Sequence, residues 1–167
     1  NIFVRNENNE IIGVTSIGED VTQNKKDELI NEVYNNINKL SINVNNITDF
    51  YKKAHKELQR LFDIKNFYIS IHDKENDEVA FPYFADETRP ADFIVVSRPY
   101  KNSLTEHVIN SNKNLIINEN EFNDIIKEKN LKVNGKIAKQ WIGIPLTIKD
   151  NTFGILVVQN YQNEDAL

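Results

Sequence analysis

The chain has 167 residues, 40% hydrophobic and 10% aromatic, enough apolar side chain for one core of ordinary size and too little sequence for two full domains. Its 25 acidic and 20 basic residues leave a net charge of −5 with no basic block, so the lysine and arginine face that a nucleic-acid backbone needs is missing. With no cysteine, disulfides, thiolate metal sites, a cysteine nucleophile and thioether attachment of a cofactor are excluded, and a reducing, cytoplasmic location fits.

The opening Asn1-Ile2-Phe3-Val4-Arg5 lacks the charged-then-apolar order of a secretory signal, and no apolar run approaches the roughly 18 residues of a bilayer span. There is no methionine, even at position 1, and the chain begins in a strand-like pattern, so it reads as a segment of a longer protein. Ile2-Phe3-Val4 and Ile11 to Ile17 are rich in β-branched residues, and the turn chemistry of Asn6 to Glu10 between them predicts a hairpin. Charged, helix-favouring sequence follows from Lys25, with Thr22 or Asn24 as the N-cap.

From Ile30 the apolar positions run Ile30, Val33, Ile37, Leu40, Val44, Ile47, Tyr51, Ala54, Leu58, Leu61, the three-four spacing of a helical seam. Ser41 to Asn46 interrupts it with weak helix formers, and Asn46 is a good N-cap with Asp49 three residues on. Two helices are therefore expected, about Lys25 to Leu40 and about Ile47 to Phe62. Phe67 to His72 and Glu78 to Phe84 flank a turn-like Asp73 to Asp77 and predict a second hairpin; Asp86 to Asp92 reads as loop, with a short apolar run from Phe93 to Val96.

Ser103 to Ile109 has helical spacing behind Asn102 or Ser103 as cap, Leu115-Ile116-Ile117 reads as a short buried strand, and Asn120 to Leu131 as an amphipathic helix. Trp141 to Ile148 and Phe153 to Tyr161 surround the polar Lys149 to Thr152 and predict a third hairpin. Trp141, Ile144, Leu146, Ile155 and Val157 are expected to be buried, and Glu164 to Leu167 reads as the start of a further helix. The sum is an α/β (α+β) fold: a central antiparallel sheet of about six strands, the second helix on one face and the helices after Ser103 and Asn120 towards the other, plus an N-terminal hairpin and linker helix.

Little in the chain points to catalysis. His55, His72 and His107 share no ligand spacing, so no metal site is expected. Asp86 and Glu87, with Asp73 and Asp77, are the best candidates for paired carboxylates, but acidic loops are ordinarily just solvated, and no catalytic residue is assigned. Five glycines form no phosphate loop; Gly143 and Gly154 lie inside strand patterns, where close packing is the simpler reason.

Trp141-Ile142-Gly143-Ile144-Pro145-Leu146, then Asp150, then Phe153-Gly154-Ile155-Leu156-Val157-Val158, resembles the paired final strands of GAF domains. Asn102 to Ile109 with Leu115-Ile116-Ile117 resembles the helix and strand before them, and Phe81-Pro82-Tyr83-Phe84-Ala85-Asp86-Glu87 resembles the second strand of the subgroup found in bacterial and archaeal sensor kinases. Ser103 stands where the pattern usually has glycine. Glu10 to Thr22, with its aspartate-hydrophobic-threonine triplet Asp20-Val21-Thr22, resembles the last strand and exit of a PAS domain. The implied organisation is a PAS remnant over residues 1–22, a linker helix over 23–45, and a GAF domain over 46–167, truncated at its C-terminal helix, as in histidine kinases and related regulators.

The resemblance implies a small-molecule site between the sheet and the helix-loop layer over it, lined here by Tyr83, Phe84, Asp86, Ser103, Leu104, Thr105, Asn118 and Trp141. The alternative is that Phe84, Leu104 and Trp141 simply fill the core. Covalent bilin attachment and the cysteine-dependent sulfoxide reduction of some GAF proteins are ruled out, and the cyclic-nucleotide signature of others is absent, so no cofactor is expected and any ligand is of unknown identity. The implied function is a non-catalytic sensory or regulatory domain that relays ligand occupancy or upstream PAS state through helices to an output domain such as a histidine kinase. The competing reading is a structural dimerisation and spacer domain with no ligand. Ile30, Val33, Ile37 and Leu40 place an apolar stripe on the first helix, from which a parallel homodimer is expected; the alternative is a helix folded back on its own sheet, burying Val33 and Ile37 in one chain.

Overall fold

The computed structural model of the protein describes residues 2–15, 22–42, 44–90, 93 and 96–164. β1 (Ile2–Arg5) and β2 (Ile11–Thr15) form an antiparallel two-stranded sheet, Phe3 opposite Val14. Its turn is closed by Asn6, whose side-chain oxygen accepts from the amides of Asn8 and Glu10. The expected exit from this hairpin, including Asp20 and Val21, lies outside the described residues.

Two helices follow, as the asparagine-rich break requires. α1 (Thr22–Ile42) ends two residues into it, and α2 (Ile47–Leu58) starts behind Asn46, whose side chain accepts from the Thr48 amide. α2 ends at Leu58, a turn earlier than the spacing predicts, and beyond it the Gln59 side chain donates to the Ile64 carbonyl at 3.0 Å. α1 packs against α2, burying Val33 to 2% exposure; Asn36 donates to Glu57, and Arg60 pairs with Glu32 at 2.8 Å. Along the stripe, Ile30 remains 42% exposed, while Ile37 and Leu40 are half-buried.

The main sheet holds β3 (Asn66–Asp73), β4 (Glu78–Ala85), β5 (Ser97–Pro99), β6 (Leu115–Asn118), β7 (Gln140–Ile148) and β8 (Asn151–Asn160). All neighbours are antiparallel, in the order β5-β4-β3-β8-β7-β6. Asp77 and Lys149 take the left-handed conformation at the two hairpin turns (φ 53° and 55°), which tightens each loop enough to set the registers His72 opposite Val79 and Ile148 opposite Asn151. β5 was not expected from the sequence; it adds an edge strand beside Glu78 to Ala80. Of the apolar run beginning at Phe93, Ile94 and Val95 lie outside the described residues, as do Asp165 to Leu167 of the expected last helix.

α3 (Leu104–Ser111) and α4 (Glu119–Lys129) cover one face, packing Val108, Ile109 and Phe122 against Trp141, Ile155 and Val157. α2 covers the other, where Tyr51, Leu58, Leu146 and Val158 pack against Ile64, Phe67 and Ile69. Two burial expectations fail on this second face. Ile144 is 40% exposed and Ile116, in the strand read as buried, 64%. Both share the face of Leu146, but α2 lies over β4, towards the opposite end of the sheet, and leaves β6 and β7 uncovered there among the described residues.

Candidate ligand-binding site

β4 is irregular at Pro82. Ile69 pairs with Tyr83 but Ile71 with Ala80, so two residues, Phe81 and Pro82, stand opposite one. Proline has no amide to give the ladder and is tolerated at such a bulge. The extra residue shifts the alternation, so that Phe81 and Phe84, three apart, both face the α3–α4 side. There they join Tyr68 in one cluster of rings, with Tyr68 stacked on Phe84 at 5.8 Å and edge-on to Phe81.

The N-terminus of α3 makes the next wall. Ser103 is extended (φ −128°), so the glycine usual at this position is unnecessary, and the serine forms a capping box with Glu106. Behind it Glu106, 1% exposed, accepts from the Lys101 and Ser103 amides at 3.0 and 3.2 Å, from the Ser103 hydroxyl, and from both terminal nitrogens of Arg98. Burial pushes the Glu106 carboxyl up, but Arg98, Ser103 and the Lys101 amide together hold it below the ordinary carboxylate value. Arg98 is thereby fixed, 5.7 Å from the centre of the Phe81 ring.

The segment from Leu131 to Lys139 closes the third side. It is tied down by the Lys132 amide on the Asn102 carbonyl (2.6 Å) and the Lys139 amide on Asn160 (2.8 Å). Between these walls lies a cavity of about 340 Å³, at the low end of the roughly 300–1,000 Å³ common for small-molecule sites. Its floor includes Trp141 and Gln159. On one side Tyr161 donates to Asp86 at 2.7 Å and accepts from Gln159 at 2.6 Å, and Lys136 sits over the Tyr161 ring at 4.9 Å. Burial, reinforced by the Asp86 carboxylate, drives the Tyr161 hydroxyl well above the ordinary tyrosine range; burial alone is the main reason that of Tyr68 is pushed up to about 12. Both phenols are neutral hydrogen-bonding groups at neutral pH, and Tyr68 pairs with Thr105 at 3.1 Å.

Of the residues expected to line a site, the structure brings together Phe84, Asp86, Ser103, Leu104, Thr105 and Trp141. Tyr83 and Asn118 lie elsewhere. Tyr83, next to Phe84 on the strand, faces α2, where its hydroxyl donates to His55 Nδ1 at 2.9 Å. His55 Nε2 donates in turn to the Ile64 carbonyl at 2.9 Å, and the ring stacks on Phe67; burial pulls this imidazole below its ordinary pKa and keeps it neutral. Asn118 caps α4, accepting from the amides of Asn120 and Glu121. Sequence reasoning missed Tyr68, Arg89, Arg98, Lys132, Lys136 and Tyr161, none of which carries a local signal.

No group of His, Asp or Glu among the described residues could hold a metal ion, and none of their helices is long and apolar enough to cross a membrane. No family sequence model and no curated protein matches the chain. Solved structures do. The GAF domain of a phosphoenolpyruvate-protein phosphotransferase from Acinetobacter aligns over 84% of this chain and 80% of its own, with 16% identity and a TM-score of 0.61. This is the fold of GAF domains. The A. aeolicus nlh2 GAF domain aligns over 83% of each chain (15% identity, TM-score 0.59). The free methionine-R-sulfoxide reductase of Neisseria meningitidis, an enzyme, aligns over 92% of this chain and 85% of its own (11% identity, TM-score 0.58). The structures similar to this chain thus include an enzyme, and function must be argued from the site.

Proposed function

We propose that the chain is a non-catalytic sensory or regulatory GAF domain of a cytoplasmic signalling protein, preceded by the end of a PAS domain. It relays occupancy of the cavity, or the state of the upstream PAS domain, through helices that include α2 and α1 to an output domain such as a histidine kinase. The observation that carries this reading is the pair Tyr83 and Phe84. One side chain lines the cavity and its neighbour on the same strand is bonded through His55 to α2. A ligand that displaces Phe84 pulls on the strand that holds Tyr83, and α2 is packed against α1.

Isotope-labelled protein titrated with a mixed fragment library tests the reading. Hits should move the amide signals of Phe84, Thr105 and Gln159, and also those of α2 around His55. Tyr83→Phe should leave binding in place and weaken the α2 response. If no fragment moves the cavity amides, or if binding never reaches α2, the relay reading fails.

The apolar surface that remains exposed on α1 favours pairing of two copies in addition. Ile30, Tyr34 and Ile42 are exposed on that helix at 42%, 64% and 81%, so packing on α2 uses up only part of its apolar surface.

A further inference from the structure

Taking the cavity as a ligand site, we infer that its ligand is a small aromatic carboxylate, a single flat ring bearing a negative charge. The inference rests on the functional reading above and narrows it to one chemical class.

The charge of the cavity runs against that of the chain. In a protein of net charge −5, Arg89, Arg98, Lys132 and Lys136 line the cavity and Asp86 is its one carboxylate among the described residues. Arg98 is matched by Glu106 behind it. Arg89, Lys132 and Lys136 form no ion pair with any described residue. Asp86 is already engaged, accepting from the Thr88 amide (2.8 Å), the Thr88 hydroxyl (2.6 Å) and Tyr161. The site therefore holds a surplus of positive charge beside a small, partly enclosed apolar volume, where attraction for an anion is stronger than on open surface.

The apolar part is aromatic rather than aliphatic. Tyr68, Phe81, Phe84 and Phe93 form a connected set of rings with centroids 5.8–6.0 Å apart, and Trp141 adds a fifth. Arg89 lies over Phe93 at 4.9 Å, Arg98 over Phe81 and Lys136 over Tyr161, so cation and ring face alternate around the volume. A flat ring fits against such walls by stacking or edge contact. A carboxylate on that ring meets the lysines of the 132–136 segment. A cation would face three like charges with only an occupied carboxylate to offset them.

Benzoate, benzamide and benzamidine are near-isosteres that carry charges of minus one, zero and plus one, and acetate supplies the carboxylate without the ring. Titrations followed by amide shifts at Phe84, Thr105 and Gln159 should show benzoate binding at least about tenfold more tightly than benzamide. Benzamidine and acetate should produce no saturable shift. Lys132→Gln and Lys136→Gln, both at exposed positions, should each weaken benzoate and leave benzamide unchanged, because each removes charge and neither lies over the connected rings of Tyr68, Phe81, Phe84 and Phe93. Benzamide or benzamidine binding as well as benzoate overturns the charge preference while leaving the cavity a ligand site. Acetate binding as well as benzoate overturns the aromatic part. Failure of all three ring compounds overturns the inference, and only failure of the mixed fragment library as well removes the site.

Discussion

Replacing Glu106 with glutamine conserves its shape and tests the polar node that builds one wall of the cavity. The carboxylate is 1% exposed and accepts on both oxygens. In Glu106→Gln one oxygen can still serve Arg98 and the Lys101 amide. The new amide group instead points donors at the Ser103 amide and the second Arg98 nitrogen, which are donors themselves. Two charge-assisted bonds are lost at about 1.5–3 kcal/mol each, and the Arg98 guanidinium, 18% exposed, is left without its counter-charge. Breaking one side of a buried pair costs about 3–5 kcal/mol, a large part of the roughly 5–15 kcal/mol that holds a domain folded. It corresponds to a fall in Tm of roughly 6–20 °C at this chain length. Trp141, the single tryptophan and 3% exposed, reports unfolding directly, so urea titrations followed by its fluorescence measure the effect. Because the folded carboxyl is held below its ordinary value of 4.5, the wild type's advantage is complete above that pH and fades as pH falls through the folded value. Glu106→Gln should therefore lose most at neutral pH and converge on the wild type in acid. A cost below about 1 kcal/mol at pH 7 with an unchanged urea slope, or a gap that does not shrink in acid, would refute this account.

His55 carries the same sign of pH dependence for a different reason. Its folded pKa is pulled below the ordinary 6.5 by burial, so the unfolded chain takes a proton first, and stability should decline as pH drops below that value until the folded ring also titrates. His55→Phe should show a shallower decline between pH 7.5 and 5.5 in the same urea assay; identical curves would remove His55 as the cause. Gly154→Ala should destabilise by about 1–3 kcal/mol, since an added Cβ runs into the Ser70 backbone carbonyl on β3, which cannot swing aside as a side chain would. A neutral result in thermal melts would mean that β3 and β8 can separate at no cost. Ile30→Asp changes an exposed position, so it should abolish association measured by sedimentation while leaving the melting temperature nearly unchanged. A wild-type monomer at high micromolar concentration, or a variant as dimeric as the wild type, would remove α1 as the interface.

The three hairpins and the break between α1 and α2 were legible because each rests on local chemistry: turn residues, β-branched runs and Asn46 as a cap. The cavity was legible only in part. Phe84, Leu104, Thr105 and Trp141 could be placed through the family resemblance, but Tyr83 and Phe84 are adjacent on a strand and cannot both face one side. Which of them faces the cavity depends on the Pro82 bulge, a register effect invisible without the partner strand. Arg98, Lys132 and Lys136 come from an edge strand and a connecting segment with no periodicity, and their convergence is a product of tertiary structure alone. Ile144 failed for a related reason, since alternation says which face a residue takes and nothing of whether a helix covers that part of the face.

The strand order also has a kinetic side. β3 sits in the middle of the sheet, yet one of its two neighbours, β8, is the last strand in the chain, with Tyr68 opposite Val157. During synthesis β3 and β4 can form a hairpin early, but the inner edge of β3 stays unpaired until β8 has emerged, and the loop closed at that moment spans most of the domain. Long-range pairing of this kind slows folding more than it affects final stability. Truncation just before Asn151 should therefore leave a chain with two unjoined strand edges, one on β3 and one on β7, and a strong tendency to associate through them.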